Sequence, residues 1–314
     1  GDATDFGDLT HTTRDGGACA SRTRGLYRFG TGPGDTNDNV DFFTMSSTGN
    51  GQDFGDMTYN NRGNEGLANQ TRGIFTGGDN DGSPRTYFNT IEFVTIASTG
   101  NGLDFGDRVA GGNSRIGTGS SPTRGVMVGS QTSPNKQIDF ITIASTGNSQ
   151  DFGDSSNVGS NAAGACNATR MVYGGRVDPA SPIDFLTIAT TGNSIDFGDM
   201  TVARSSFASM SDCVRGIFAG GDGSPAQFSE IDYFNIATTG DAVDFGDLPF
   251  DNQQTTGCSN GAESNEDFRL SNGSFTIEFW AYVADTSNST FVALFENNPA
   301  RRSWQFEARS NQAL

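Results

Sequence analysis

Lysine is almost missing from this 314-residue chain: Lys136 is the only one, set against 37 Asp and Glu. The formal net charge is −18. Nucleic-acid backbones are bound by Lys and Arg that displace counterions, so that class of partner is excluded. A polybasic membrane patch is excluded on the same ground. Histidine is equally scarce. His11 lies alone in a polar linker, which leaves no ligand spacing for zinc and no base beside a nucleophile motif. No apolar run approaches the ~18 residues of a membrane span, and no charged-then-apolar leader opens the chain. Hydrophobic residues make up only 33%, yet there are 25 Phe and 43 Gly, and both concentrate in a few recurring phrases.

The first phrase is Asp-Phe-Gly-Asp, beginning at Asp5, Asp53, Asp104, Asp151, Asp196 and Asp244. A second phrase starts with Arg-Gly and apolar residues at Arg24, Arg72, Arg124 and Arg215, and in a degenerate copy at Arg170. The third, of the form Ile-Asp-Phe-x-Thr-Ile-Ala, starts at Val40, Ile91, Ile138, Ile183 and Ile231. A period of this size marks one supersecondary unit that buries its faces on its neighbours. Residues present in every copy therefore build the unit first.

Each unit reads as four short antiparallel strands. In Ile138–Ala144, Ile138, Phe140 and Thr142 alternate with Asp139, Ile141 and Ile143, and the stretch is β-branched and aromatic. Thr-Gly-Asn follows, with residues that tolerate positive φ in a hairpin turn. Asp-Phe-Gly-Asp opens the strand beyond that turn. A Gly/Ala/Ser-rich stretch such as Gly164–Ala168 suits a strand crowded by others, and the Arg-Gly phrase supplies the fourth. No segment carries a 3.6-residue apolar period. Four-stranded repeating units of this kind are propeller blades, and the class is all-β.

The apolar strand ending in Gly-Gly, the Ile-Asp-Tyr-Phe strand and the acidic aromatic turn resemble the kelch-type β-propeller. Phe replaces the usual Trp, and the Tyr after the Gly pair is missing. The wording Ile-Asp-Phe-x-Thr-Ile-Ala-Thr-Thr-Gly-Asn-x-x-Asp-Phe-Gly-Asp is similar to repeats in virion structural and tail-fibre-like proteins of marine bacteriophages, cyanophages especially. The resemblance covers about residues 1–261. Five blades are expected at 11–57, 58–108, 109–155, 156–200 and 201–248. A lone outer strand at 5–9 and a lone inner strand near Thr255–Gly261 belong to a further blade whose middle strands are missing, so upstream sequence supplies them or the ring closes unusually. Gly1-Asp2-Ala3-Thr4-Asp5 matches the stretch from Gly240, and the chain is expected to be part of something longer.

From Asp267 the repeat stops. Phe268–Leu270, Phe275–Val283 and Phe291–Phe295 alternate between Ser/Asn turns. Residues 267–314 resemble the opening of a laminin-G or concanavalin A-like sandwich, through Phe275-Thr276-Ile277-Glu278-Phe279-Trp280.

Repeated residues are assigned structural work. Arg24, Arg72, Arg124, Arg170 and Arg215 are expected to reach Asp partners between blades, with an anion ring as the alternative. Phe54, Phe105, Phe152, Phe197 and Phe245 are expected in the core. Asn50, Asp53 and Asp56 and their counterparts offer oxygen to calcium, against the plainer reading that they cap turns; no other cofactor or metal is expected. Cys19, Cys166, Cys213 and Cys258, in roughly one slot of four units, are expected reduced and buried near the axis. The sequons at Asn69 and Asn167 are placed in inner strands, leaving Asn272 and Asn288 as glycan sites.

A binding site is expected where copies differ most, in the loops after the Gly-Gly strand. Arg85, Tyr87, Phe88, Arg176 and Phe228 are the binding candidates. The expected function is non-enzymatic: a recognition or structural component of a phage virion, on its surface or otherwise extracellular, touching neighbouring subunits and surface glycans. A secreted bacterial adhesin or filament subunit is the alternative, and a glycan-active propeller enzyme comes third.

Overall fold

A computed structural model describes residues 7–32, 37–130, 132, 135–156, 161–175, 182–223, 227–252 and 256–259, and the backbone of 278–283, 289–294 and 307–310. The first blade comprises β1 (Gly17–Ala20), β2 (Arg24–Arg28), β3 (Asn37–Thr44) and β4 (Gln52–Asn61). The second runs β5 (Glu65–Ala68), β6 (Arg72–Thr76), β7 (Thr90–Thr95) and β8 (Leu103–Asp107), and the third β9 (Gly117–Ser120), β10 (Arg124–Val128), β11 (Gln137–Thr142) and β12 (Gln150–Asp154). The fourth is β13 (Ala163–Cys166), β14 (Arg170–Gly174), β15 (Pro182–Thr187) and β16 (Ile195–Asp199). The fifth is β17 (Ala208–Ser211), β18 (Arg215–Ala219), β19 (Phe228–Asn235) and β20 (Val243–Asn252). Every blade is an antiparallel sheet in sequence order, and the five form a β-propeller. β21 (Glu278–Val283), β22 (Ser289–Leu294) and β23 (Glu307–Ser310) make a separate three-stranded sheet in the stretch expected to open a sandwich.

Both faces of a blade are buried, which explains why both alternating sets of third-strand side chains are largely apolar. Ile138 and Phe140 of β11 join Met171, Tyr173, Leu186 and Ile188 of the fourth blade in one cluster. Ile141, on the other face, packs with Leu67, Ile74 and Phe105 of the second. Phe54, Phe105, Phe152 and Phe197 are buried as expected. Each stands edge-on to a third-strand ring, as Phe152 does to Phe140 at 6.0 Å. Phe245 keeps the same geometry with Tyr233 but is only half-buried.

The repeated arginines link blades, but their partners are not aspartates. Arg24, Arg72, Arg124 and Arg170 each stack on their own blade's Phe42, Phe93, Phe140 or Phe185, 4.2 to 4.6 Å from the centroid. Each also donates from Nη1 to a carbonyl of the next blade: Ile96, Ile143, Ile188 and Ile236. A guanidinium is planar and weakly hydrated, so it can stack on a ring and donate in its own plane. The carboxylates instead lie in the third strands. Asp41, Glu92, Asp139, Asp184 and Asp232 are buried there, and Arg28, Arg108 and Arg204 pair with Glu92, Asp139 and Asp232.

Outer strands lock onto the next blade's hairpin turn. Gly100, Gly147, Gly192 and Gly240 donate to Phe54, Phe105, Phe152 and Phe197, and Asn101, Asn148, Asn193 and Asp241 accept the amides of Asp56, Asp107, Asp154 and Asp199. The Asn of the supposed calcium set thus works in a junction with the preceding blade. Among the described residues no group of His, Cys, Asp or Glu is arranged to hold a metal ion.

The innermost strands converge on an axial channel, and small residues are required there. A β-carbon on Gly66 would come within 2.3 Å of the Ala18 carbonyl. Residues 256–259 stand beside β17 as a sixth inner segment, and Cys258 packs with Ala18 and Ala20 of the first blade. Cys19, Cys166 and Cys258 line the channel, but Cys213 does not. It lies in the turn between β17 and β18 at φ 71° and is half-buried, as is Cys166, against the expectation that all four would be buried; none of the four forms a disulfide. The slot of Cys213 differs because it follows the inner strand instead of lying in it. Asn69 and Asn167 also fall in such turns and not in inner strands; each side-chain oxygen accepts two amides, from Thr71 and Arg72 or Thr169 and Arg170. Asn272 and Asn288 lie outside the described residues.

Candidate functional site

Because the four strands alternate in direction, the variable loops, the blade-to-blade linkers and the start of every inner strand share one end of the ring. A belt of residues just ahead of the inner strands surrounds the channel mouth there. Asp15, Arg115, Asn161 and Ser206 adopt positive φ between 54° and 57°, and Gly63 adopts 64°. Left-handed backbone at non-Gly residues is costly and marks a constrained place. Backbone bonds run around the belt: Gly63 donates to Asp15, Arg115 to Gly63 and Ser206 to Asn161.

The side chains of this belt depart from the repeat on the second-blade side. Arg115 donates to Asp15 from Nη2 at 2.8 Å and from Nε at 3.3 Å. Arg62, itself buried, meets Asp79 at 3.1 Å, Asp81 at 2.6 Å and Asp15 at 3.6 Å. Arg85 adds contacts of 3.5 Å to Asp79 and 3.8 Å to Asp81 while staying 40% exposed. Three guanidinium groups thus face three carboxylates in a partly dry mouth, where pairing is essential to offset desolvation. Glu65 heads the inner strand where the other blades have Gly17, Gly117, Ala163 and Ala208. Burial pushes its carboxyl well above the usual range; Arg115 opposes this shift and Asp15 adds to it. The Oδ1 atoms of Asn64 and Asn161 are buried without a hydrogen-bond partner among the described residues.

The second-blade loop is tied to this mouth by hydrogen bonds. Asp79 exchanges backbone bonds with Arg62, and Phe88 donates to Gly78 and accepts from Asn113. Asn80 Oδ1 receives the amides of Gly82 and Thr86. Tyr59, at the end of β4, is 44% exposed and lies 6.1 Å from the Phe88 ring. Its carbonyl takes a 2.7 Å bond from buried Arg28, whose pKa burial brings down to about 10 against the pull of Glu92.

Of the sequence candidates, Arg85, Tyr87 and Phe88 therefore come together on one loop. Phe228 does not join them: it is half-buried on the fifth blade, its amide donating to Gly221. Arg176 lies outside the described residues. Sequence reasoning missed Asp15, Tyr59, Arg62, Glu65 and Arg115. A signal existed at Glu65, which sits in an otherwise Gly/Ala slot, but Arg62 shares its slot with Arg14 as well as with Ser114 and Ser205, so residue type alone did not mark it.

The fold and this mouth define the class, a β-propeller with a charged opening on its variable-loop face. Many solved structures share the architecture. One is that of YjhT, which matches with a TM-score of 0.67 over 92% of this chain and 98% of that one, at 10% identity. At that identity the likeness concerns the fold alone. No family model matches the sequence, and no curated protein matches it.

Proposed function

We propose that this protein is a recognition module that binds surface glycans at the second-blade side of the channel mouth. The observation that carries the reading is Arg85, which stays 40% exposed beside Tyr87 and the Tyr59–Phe88 pair while touching Asp79 and Asp81 only at 3.5 and 3.8 Å. Flat aromatic faces stack on sugar rings, and a guanidinium with spare donors orients hydroxyl or carboxylate groups. The recurring Arg, Asp, Asn and Phe are occupied in blade junctions, which leaves this departure from the repeat as the place where selectivity resides.

The kelch-like wording, the resemblance to phage structural repeats and the laminin-G-like segment support placement on a phage virion, in many copies next to other subunits, with avidity strengthening weak single contacts. A bacterial adhesin uses the same physics. One observation favours a glycan-active enzyme as the second reading: Glu65 lines the channel, and burial followed by the nearby Asp15 raises its carboxyl above the usual range against the pull of Arg115, a direction that suits a general acid.

Glycan-array binding, followed by mass analysis of the retained sugars, separates these readings. Retention of a defined glycan class with unchanged masses supports recognition. Altered masses point to the enzyme, and absence of retention overturns the glycan reading. Mass spectrometry of purified phage particles, compared with bacterial surface fractions, tests the location.

A further inference from the structure

The hairpin turn that closes each junction carries a residue pair whose chemistry the repeat varies. After the turn glycine stand Asn50-Gly51 in the first blade and Asn101-Gly102 in the second, but Asn148-Ser149, Asn193-Ser194 and Asp241-Ala242 in the other three. Two further Asn-Gly pairs, at Asn260 and Asn272, lie outside the described residues. An asparagine followed by glycine is the pair most prone to lose its side-chain amide. The glycine nitrogen attacks the asparagine Cγ, and with no β-carbon on the glycine little hinders the approach.

The junction holds both reacting groups. Asn101 is exposed, but its Oδ1 accepts the Asp56 amide at 3.3 Å, and buried Gly102 donates its N–H to the Asp56 carbonyl at 2.7 Å. Asn50 and buried Gly51 engage Asp8 in the same way, at 3.1 and 2.7 Å. To react, the glycine nitrogen must give up its proton and approach Cγ. A buried N–H bonded to a carbonyl does neither, so local opening of the junction is the step that frees it. The fifth blade shows what a closed junction tolerates at this position. Asp241 accepts the Asp199 amide at 3.1 Å, and Ala242 still donates to the Asp199 carbonyl at 2.8 Å.

We propose that Asn50 and Asn101 are sites of spontaneous deamidation gated by junction opening, and that the junction recloses on only one of the two products. In the first step the bond from the glycine nitrogen to Cγ forms and the bond from Cγ to the side-chain nitrogen breaks. Ammonia leaves with the proton that the glycine nitrogen gave up. Water then opens the cyclic imide at either carbonyl. Attack at Cγ restores the main chain and leaves aspartate, the residue that Asp241 already presents in a closed junction. Attack at the main-chain carbonyl leaves isoaspartate, with the main chain routed through Cγ and one atom longer. Gly100 donates to the Phe54 carbonyl and Gly102 to that of Asp56, one on each side of Asn101. A chain lengthened between them cannot keep both bonds, so isoaspartate at 101 loosens the junction of the first two blades.

The test is peptide mapping by mass spectrometry of the whole chain, held warm at mildly alkaline pH both folded and in urea, with isoaspartate counted by enzymatic methylation. In the folded chain the mass gain of deamidation is expected at Asn50 and Asn101 and not at Asn148 or Asn193. In urea both positions should convert roughly tenfold faster or more, because no junction has to open first. An Asn101→Asp chain should unfold at the parent's midpoint. The isoaspartate-bearing fraction of the aged parent should unfold roughly 3 °C or more below it. Equal rates in the folded and unfolded chains overturn the gating, and equal gain at Asn148 and Asn193 overturns the choice of sites. A folded chain that gains no mass at Asn50 or Asn101 while the unfolded chain converts overturns the proposal, as does an isoaspartate-bearing fraction that unfolds with the parent.

Discussion

The guanidinium of Arg124 lies 4.3 Å from the centroid of the Phe140 ring, and its Nη1 donates at 2.9 Å to the carbonyl of Ile188 in the next blade. One side chain thereby fixes the spacing of two sheets. Removing it takes away a cation–π contact and a charge-assisted bond together, so Arg124→Ala should cost about 2–4 kcal/mol. Arg124→Lys should recover little of this, because an ammonium cannot stack and donate in one plane. Arg215→Ala, made in the blade whose described residues include no next-blade acceptor, should cost less than half as much. Chemical denaturation of the three variants checks the order.

Arg62 joins Asp15, Asp79 and Asp81 in the channel mouth. Arg62→Leu would leave buried Asp79 without its nearest cation and Asp15 with Arg115 alone, and the expected loss is roughly 3–5 kcal/mol. Arg85→Ala, at a group 40% exposed, should leave folding stability nearly unchanged. Urea unfolding of both variants makes the comparison, and equal losses would contradict it.

Glu65 gives the protein a pH dependence of definite sign. Its folded-state pKa is raised, so the folded form keeps its proton while the unfolded form releases it. Stability from this group is full below the ordinary carboxylate value and falls as pH climbs through the raised one. Glu65→Gln should therefore unfold at a higher temperature than the parent chain near pH 8, with the difference closing below about pH 4. A difference that widens in acid would reverse the assignment.

The thiols should react in an order set by burial. Cys19 is pushed well above its usual pKa by burial and then by Cys258, and Cys166 is raised by burial against a bond from the Ser120 amide. Only a thiolate alkylates readily. Cys213, half-buried in a turn, should be labelled by iodoacetamide first, and Cys19 only on unfolding. Mass spectrometry of timed samples reads the order directly.

The blades were legible because short β-branched and aromatic runs between Gly/Asn turns mark strands, and because each junction repeats the same phrase. Ile138 and Ile141 could be assigned to opposite faces from alternation alone. The partner of Arg124 could not, since a backbone carbonyl in the neighbouring blade leaves no mark on the sequence. Residues of the mouth were hidden for a different reason. Asp15, Arg62, Glu65 and Arg115 meet only after the ring curves them onto one axis, and attention to what every copy shares passes over the positions where one copy differs. The loop bearing Arg85, Tyr87 and Phe88 stood out in the sequence because variation there extends over a whole segment.

Recognition at the channel mouth is the central claim, and hydrogen–deuterium exchange with a glycan retained on the array tests it most directly. The account predicts protection at 59–65, 79–90 and 113–116, and loss of that protection in an Arg85→Ala, Tyr87→Ala chain that still folds. Protection confined to the opposite end of the ring, in the turns around Gly49, Gly100, Gly147 and Gly192, would contradict it.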